Sequence, residues 1–239
     1  MGTTTPTGTP VIGLDGDDTL WHSENHFVTT TERLADLLEP YVTHTAEAEA
    51  RLIEVEQRNL ALFGYGVKAF TISMIETAIE VSAQQVTASE IHRIVEWSKE
   101  MMEHPVELLS GVAETVELLA RDHRLLLVTK GDLLHQESKV ARSGLAEHFE
   151  GIHIVSEKDP DTYARILDAH SVEPGGFVMV GNSLRSDILP VVALGGRGVH
   201  VPYHTTWALE AIDEDNLPDS VVHLDGISSL PALLSAGGP

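Results

Sequence analysis

From about residue 105 onward, short runs of Leu, Ile, Val and Phe alternate with stretches that place apolar residues at helical spacing, and this alternation fixes the fold class. The strand-like runs are Arg124–Val128, Ile152–Val155, Phe177–Val180, Gly198–Val201 and Val221–Leu224, with Val11–Leu14 as one more near the N-terminus. Helix signals fall between them. Asp132 is placed to cap a helix that ends at Gly144, Asp159 followed by Pro160 opens another, and Gly195 closes a third. Runs this apolar belong to strands covered on both faces, so the expectation is an α/β fold built on a parallel sheet.

Residues 23 to 104 read differently. They hold no convincing strand, and their apolar residues recur at helical spacing, as in Ile91, Ile94, Val95, Trp97, Met101 and Met102. Thr87 with Glu90 three residues on forms a capping box at the start of that stripe. The expected organisation is a discontinuous core, residues 1–22 and 105–239, interrupted after its first strand by an all-helical insert, residues 23–104. The 239 residues, 42% hydrophobic and 22% charged, suffice for a sizeable buried core.

Charge narrows the function. With 15 basic and 37 acidic residues the net charge is −22, which argues against nucleic acid and against anionic membrane surfaces as partners. No apolar run approaches the length of a membrane span, and Met1 to Pro10 lack the basic and apolar regions of a signal peptide. The absence of cysteine removes disulfides, thiolate metal sites and a cysteine nucleophile, and it suits a reducing compartment, so a cytoplasmic protein is expected. If so acidic a chain handles an anion, it must build a local positive field, which draws attention to each buried lysine and to any bound cation.

The sharpest local signal is the segment Val11 to Trp21, where Asp15, Asp17 and Asp18 follow a buried strand directly. Like charges so close repel strongly in low dielectric, so one is protonated or a cation is present. A plain acidic turn is the simple alternative for this segment taken alone. A calcium loop fails, because Leu20 stands where its glycine belongs and His26 where its bidentate glutamate belongs. Three further positions change the balance. Thr129 ends the Leu125–Val128 run, Lys158 lies three residues past Val155, and Gly181-Asn182-Ser183-Leu184-Arg185-Ser186-Asp187 follows Val180. Singly these are ordinary turn, loop and capping residues. As a set they are not, since each follows a separate strand at the carboxyl edge, where ligands bind in an open parallel sheet.

Asp15-Gly16-Asp17-Asp18-Thr19, Thr129, Lys158 and Gly181-Asn182 with Asp187 resemble, in order and spacing, the four motifs of haloacid-dehalogenase-superfamily phosphatases, and the helical insert is similar to the cap of that superfamily's helical-cap branch. The resemblance runs from Val11 to about Val201. It implies a Rossmann-like core and a Mg²⁺-dependent phosphomonoester hydrolase acting on a small phosphorylated metabolite. It assigns nucleophilic attack to Asp15, general acid and base catalysis to Asp17, contact with the phosphoryl oxygens to Thr129, and charge compensation to Lys158. Mg²⁺ would take Asp15, the backbone carbonyl of Asp17, Asp187 and Asn182. One position departs from the pattern, since Asn182 stands where the family usually has an acidic residue. Lys130 is a candidate substrate ligand beside Thr129 or, with Asp132, a support for its loop. Lys68, in Gly64-Tyr65-Gly66-Val67-Lys68, is a candidate for a substrate anion, although a tight inter-helix turn explains that segment as well.

Rival readings share much of this set. A mutase has every motif, and a dehalogenase would use the same aspartate on carbon without metal or second acid. A receiver-like phosphoacceptor has the aspartates, Thr and Lys but no helical insert of this length. A catalytically silent binding protein is suggested only by Asn182. His22 with His26, and His200 with His204, lack a third metal ligand and read as surface or packing residues. Gly195 to Gly198 reads as a helix-to-strand joint rather than a phosphate loop.

Overall fold

The computed structural model describes residues 9–212, 217–218 and 220–236. The chain divides into two compact units: residues 23–105 with 131–135, and the remainder.

The first unit is helical. It contains α1 (Glu24–Leu38), α2 (Thr45–Phe63), α3 (Val67–Val81) and α4 (Ala88–Glu103). Its core joins Leu34 and Leu38 of α1, Leu52 of α2, Phe70 and Met74 of α3, and Ile94 and Met101 of α4. The α4 stripe works as its spacing implies, with Ile94 and Met101 buried and Ile91, Trp97 and Met102 packed at the margin. Its start is the reciprocal box of Thr87 and Glu90. Between α2 and α3 the chain turns on Gly64 and Gly66, both at positive φ. A side chain at Gly66 would also come within 2.9 Å of the Asp132 backbone nitrogen, so glycine is required there twice over.

The second unit is a six-stranded, wholly parallel sheet. Its strands are β1 (Val11–Leu14), β2 (Leu125–Lys130), β3 (Gly151–Val155), β4 (Phe177–Gly181), β5 (Arg197–His200) and β6 (Val221–His223), in the order β3-β2-β1-β4-β5-β6. The chain builds outward from β1 to β3, then returns to the other side of β1 for β4 and continues to β6. That reversal opens a crevice at the carboxyl ends of β1, β2 and β4.

Side-chain alternation splits the sheet's apolar residues into two layers. One face sends Ile12, Leu14, Leu125, Leu127, Val178, Val180 and Val199 against α5 (Val112–Leu119), Val140 of α6 (Leu133–Ser143) and the C-terminal residues Ile227 and Leu230. The other sends Val11, Leu126, Val128, Phe177 and Met179 against Tyr163, Ile166 and Leu167 of α7 (Pro160–Ala169) and Val191 of α8 (Leu189–Ala193). A last helix, α9 (Leu230–Ser235), follows β6. The helix starts are chemically defined. Asp159 accepts from the Thr162 amide at 2.7 Å, with Pro160 in the first turn, and Asp132 accepts from the His135 amide at 3.1 Å. Strand β2 runs past the expected Val128, because Thr129 and Lys130 stay in register with Ile154 and Val155 of β3.

The two-layer packing makes Leu127, fully buried and paired between Leu14 and Ile152, a stringent position. Leu127→Ala is expected to lower the free energy of unfolding by about 2–5 kcal/mol, read as a lower urea midpoint at unchanged slope.

Candidate active site

Asp15 is the first residue past β1, and its amide continues the ladder by donating to the Val180 carbonyl at 2.9 Å. That fixes the direction of its side chain at the crevice. The Lys158 ammonium donates to Asp15 Oδ1 and, at 2.6 Å, to Asp187 Oδ1. All three residues are buried, Lys158 and Asp15 at 5% exposure and Asp187 at 1%. Burial and the neighbouring Asp187 charge push the Asp15 carboxyl up to about 7, with Lys158 opposing both. Burial alone would lower the Lys158 ammonium, but the Asp15 and Asp187 carboxylates hold it well above its ordinary range. Two carboxylates against one ammonium leave the cluster short of positive charge.

The loop after β4 is built to present Asp187. A single π-type turn, Leu184–Ile188, carries it, and the Ser183 amide donates to Asp187 Oδ2 at 3.0 Å. Gly181 makes room, because a Cβ there would lie 2.2 Å from Asp187 Oδ2. Thr19 ties this loop to the first one. Its hydroxyl lies 3.1 Å from Asp15 Oδ2 and 3.3 Å from Asn182 Oδ1, sharing one proton between them, and it accepts from the Asn182 amide at 3.0 Å. Thr19 therefore bridges two strand ends, a longer reach than the local turn contact its place in the sequence suggests.

The donor set expected for Mg²⁺, namely Asp15, Asp187, Asn182 Oδ1 and the Asp17 backbone carbonyl, is entirely oxygen, as a hard cation requires. Among the described residues no three His, Asp or Glu side chains stand together as a metal cluster. Two carboxylates supplemented by neutral oxygens nevertheless suit an ion that retains several waters, and the excess negative charge on Asp15 and Asp187 is what such an ion would neutralise.

Asp17 has a separate set of partners. Its Oδ1 accepts from Trp21 Nε1 and Lys139 Nζ, each at 2.6 Å, and its Oδ2 accepts from Gln136 Nε2 at 3.1 Å. Burial would raise its pKa, but the Lys139 charge and these hydrogen bonds outweigh it and hold the carboxyl below its ordinary value. Thr129, at 1% exposure, accepts from Gln136 at 2.7 Å.

A family model for haloacid dehalogenase-like hydrolases matches residues 9–195. The chain belongs to this family. A haloacid dehalogenase-like family hydrolase from Xanthomonas campestris is 42% identical, with a TM-score of 0.85 over 98% of this chain and 94% of that one. The N-acylneuraminate-9-phosphatase of Mus musculus is 31% identical over 149 residues, 59% of this chain and 56% of that protein. The match thus spans only a little over half the length of this relative. A 2-haloacid dehalogenase from Pseudomonas syringae shares the fold at 21% identity and a TM-score of 0.61, over 96% of this chain and 99% of that one. Hydrolases of the family therefore share one scaffold, and the chemistry has to be argued from the site.

The remaining candidates have defined places. Lys130 is engaged by Glu210 at 2.5 Å and by the Ser186 hydroxyl at 2.8 Å. Glu210 also accepts from Ser183 and Ser186, each at 2.6 Å, so one carboxylate braces the end of β2 against the loop after β4. This favours the loop-supporting alternative for Lys130 over a free substrate ligand. Lys68, in the helical unit, pairs with Asp132 at 3.0 Å and is half exposed. His200, expected as a surface or packing residue, is buried with its Nε2 3.0 Å from the Asn182 carbonyl, supporting the same loop. Sequence reasoning passed over Gln136, Lys139 and Glu210, and gave Trp21 and His200 no supporting role at this site. One signal was available: α6 carries Gln136, Lys139 and Ser143 on its buried face, where a helix over a sheet normally carries apolar residues.

Because the Asp15 carboxyl titrates near 7 in the fold against an ordinary 3.8, the folded protein without a cation holds a proton that the unfolded chain has released between those values. The contribution of Asp15 to stability is therefore expected to fall as pH rises from 4 towards 7, then level off. In EDTA, the decline in melting temperature over that range should be steeper for the wild type than for Asp15→Asn, checked by calorimetry on both.

Proposed function

We propose that this chain is a Mg²⁺-dependent phosphatase that hydrolyses a small phosphate monoester through an aspartyl phosphate on Asp15. The observation that carries the reading is the pair of carboxylates at the end of β1 with separate surroundings: Asp15 buried against Lys158 and Asp187, Asp17 held by Lys139, Trp21 and Gln136. A dehalogenase needs only the first, whereas phosphate ester hydrolysis needs both a nucleophile and an acid/base. The relative named N-acylneuraminate-9-phosphatase supports phosphate over halide and suggests a phosphorylated small metabolite of that general kind as substrate.

In the first step an Asp15 oxygen attacks phosphorus in line, the bond from phosphorus to the leaving oxygen breaks, and Asp17 as the acid supplies a proton to that oxygen. In the second, Asp17 takes a proton from water, the water oxygen attacks phosphorus, and the bond from phosphorus to Asp15 breaks to release inorganic phosphate. Thr129, whose oxygen is already engaged by Gln136, has its own proton to offer a phosphoryl oxygen. Lys158 offsets charge on the nucleophile and on the transferred group. Bound Mg²⁺, held by Asp15, Asp187, the Asp17 carbonyl and Asn182, would supply electrostatic stabilisation of the phosphoryl oxygens. The partners that hold the Asp17 carboxyl below its ordinary value favour the ionised form that the second step uses, so the first step, which needs Asp17 in its protonated form, is the more demanding half.

The first test is turnover of p-nitrophenyl phosphate with and without Mg²⁺. Asp15→Asn is expected to cost about 10³-fold or more in kcat with the fold retained; activity within tenfold of wild type would overturn the nucleophile. Asp17→Asn should still be phosphorylated by this good leaving group, yet hydrolyse the intermediate slowly, so rapid quench should show phosphoprotein accumulating. Unchanged turnover of an alkyl phosphate by Asp17→Asn would remove Asp17 from the mechanism.

A further inference from the structure

Lys139 and Gln136 stand three residues apart on one face of α6, at 7% and 2% exposure, and neither has a part in the two steps above. Their side chains end on groups that do. Lys139 reaches Asp17 Oδ1 at 2.6 Å, and Gln136 reaches both Asp17 Oδ2 at 3.1 Å and Thr129 Oγ1 at 2.7 Å. A single helix face therefore engages both oxygens of the acid/base and the hydroxyl beside it.

A buried lysine is an expensive way to fill space on a helix. Removing an ammonium from water carries a desolvation cost that its partner must offset, and methionine of nearly the same length would fill the volume without that cost. Asp17, by contrast, needs restraint. Its side chain is 29% exposed, unlike that of Asp15 at 7%, and an aspartate at a turn beside open solvent has several rotamers available. Trp21 holds only one of its oxygens and comes from the same loop, so it moves with the residue it restrains. Lys139 is the charged donor that reaches Asp17 from a different element.

We propose that Lys139 is a positioning residue for catalysis: anchored on α6, it fixes the Asp17 carboxylate in one orientation towards the reacting phosphoryl group. The inference rests on the phosphatase reading above. It makes α6 a working part of the site, although none of the four motifs lies on that helix. It also means that the acid/base and the Thr129 hydroxyl are set by a common support, with Gln136 spanning the two.

The experiment compares wild type, Lys139→Met and Lys139→Arg on p-nitrophenyl phosphate in saturating Mg²⁺, with kcat, KM and rapid-quench phosphoprotein measured for each. Lys139→Met is expected to lose about 10- to 100-fold in kcat, the scale set by misplacing a catalytic group by about an ångström, with no rise in KM. Phosphoprotein should persist longer than in wild type, and Lys139→Arg should recover most of the loss. Lys139→Gln, which retains a donor of smaller reach, serves the same comparison if the Met variant melts below the assay temperature. If the folded Met or Gln variant matches wild-type kcat, the inference is overturned while the phosphatase reading stands. Loss of kcat that tracks loss of melting temperature and is not rescued by arginine would likewise overturn it, leaving Lys139 a structural ion pair. A wild type with no phosphoprotein and no Mg²⁺-dependent turnover would bring down the phosphatase reading itself, and this inference with it.

Discussion

The Lys158 ammonium between Asp15 and Asp187 is the contact around which the sheet unit is organised, since it is where three strand ends become one site. Asp15 leaves β1, Asp187 follows β4, and Lys158 comes from the loop beyond β3, so the contact exists only when the strand order is correct. In a chain of net charge −22 a lysine at 5% exposure is a local exception to the prevailing field. It offsets one carboxylate of two. The remaining negative charge appears as the elevated Asp15 pKa, and a bound cation is what would neutralise it.

Much of this could be read from the residues. The six apolar runs became the six strands, and the capping signals at Thr87, Asp132 and Asp159 each marked a real helix start, because strands buried on both faces and helix termini obey short-range rules. The convergence of Asp15, Lys158 and Asp187 was legible for a different reason: strand ends in a parallel sheet share an edge, so residues just past them meet whatever their separation along the chain. The supports were less visible. Glu210 lies beyond β5 in a segment without regular periodicity, and nothing in its neighbours announces that it will accept from Lys130, Ser183 and Ser186. The reach of Thr19 was hidden as well, because its bond across to Asn182 depends on β1 and β4 being neighbours, a fact of topology rather than of local sequence.

Helix α6 shows how a local rule can fail usefully. Its exposed residues include Leu133 and Leu134, at 58% and 62%, while Gln136 and Lys139 are buried. The buried face is thus mixed, with Val140 beside Gln136 and Lys139, and the mixture has a cause: that face meets polar groups at the carboxyl ends of β1 and β2 as well as apolar side chains of the sheet. Departures from binary pattern concentrate where a scaffold carries chemistry.

Gly181 links two positions that the sequence keeps apart. With the Asp187 carboxylate occupying the volume where a Cβ would stand, residue 181 can gain a side chain only if residue 187 gives up its own or the π-type turn is rebuilt. The constraint runs one way: residue 181 must stay glycine for as long as residue 187 keeps a side chain of this size, and a lineage that shortened residue 187 would, for the first time, be at liberty to vary 181. A paired change at these positions would serve as a historical marker, separating descendants that retain the buried carboxylate from those that have put the same scaffold to another use.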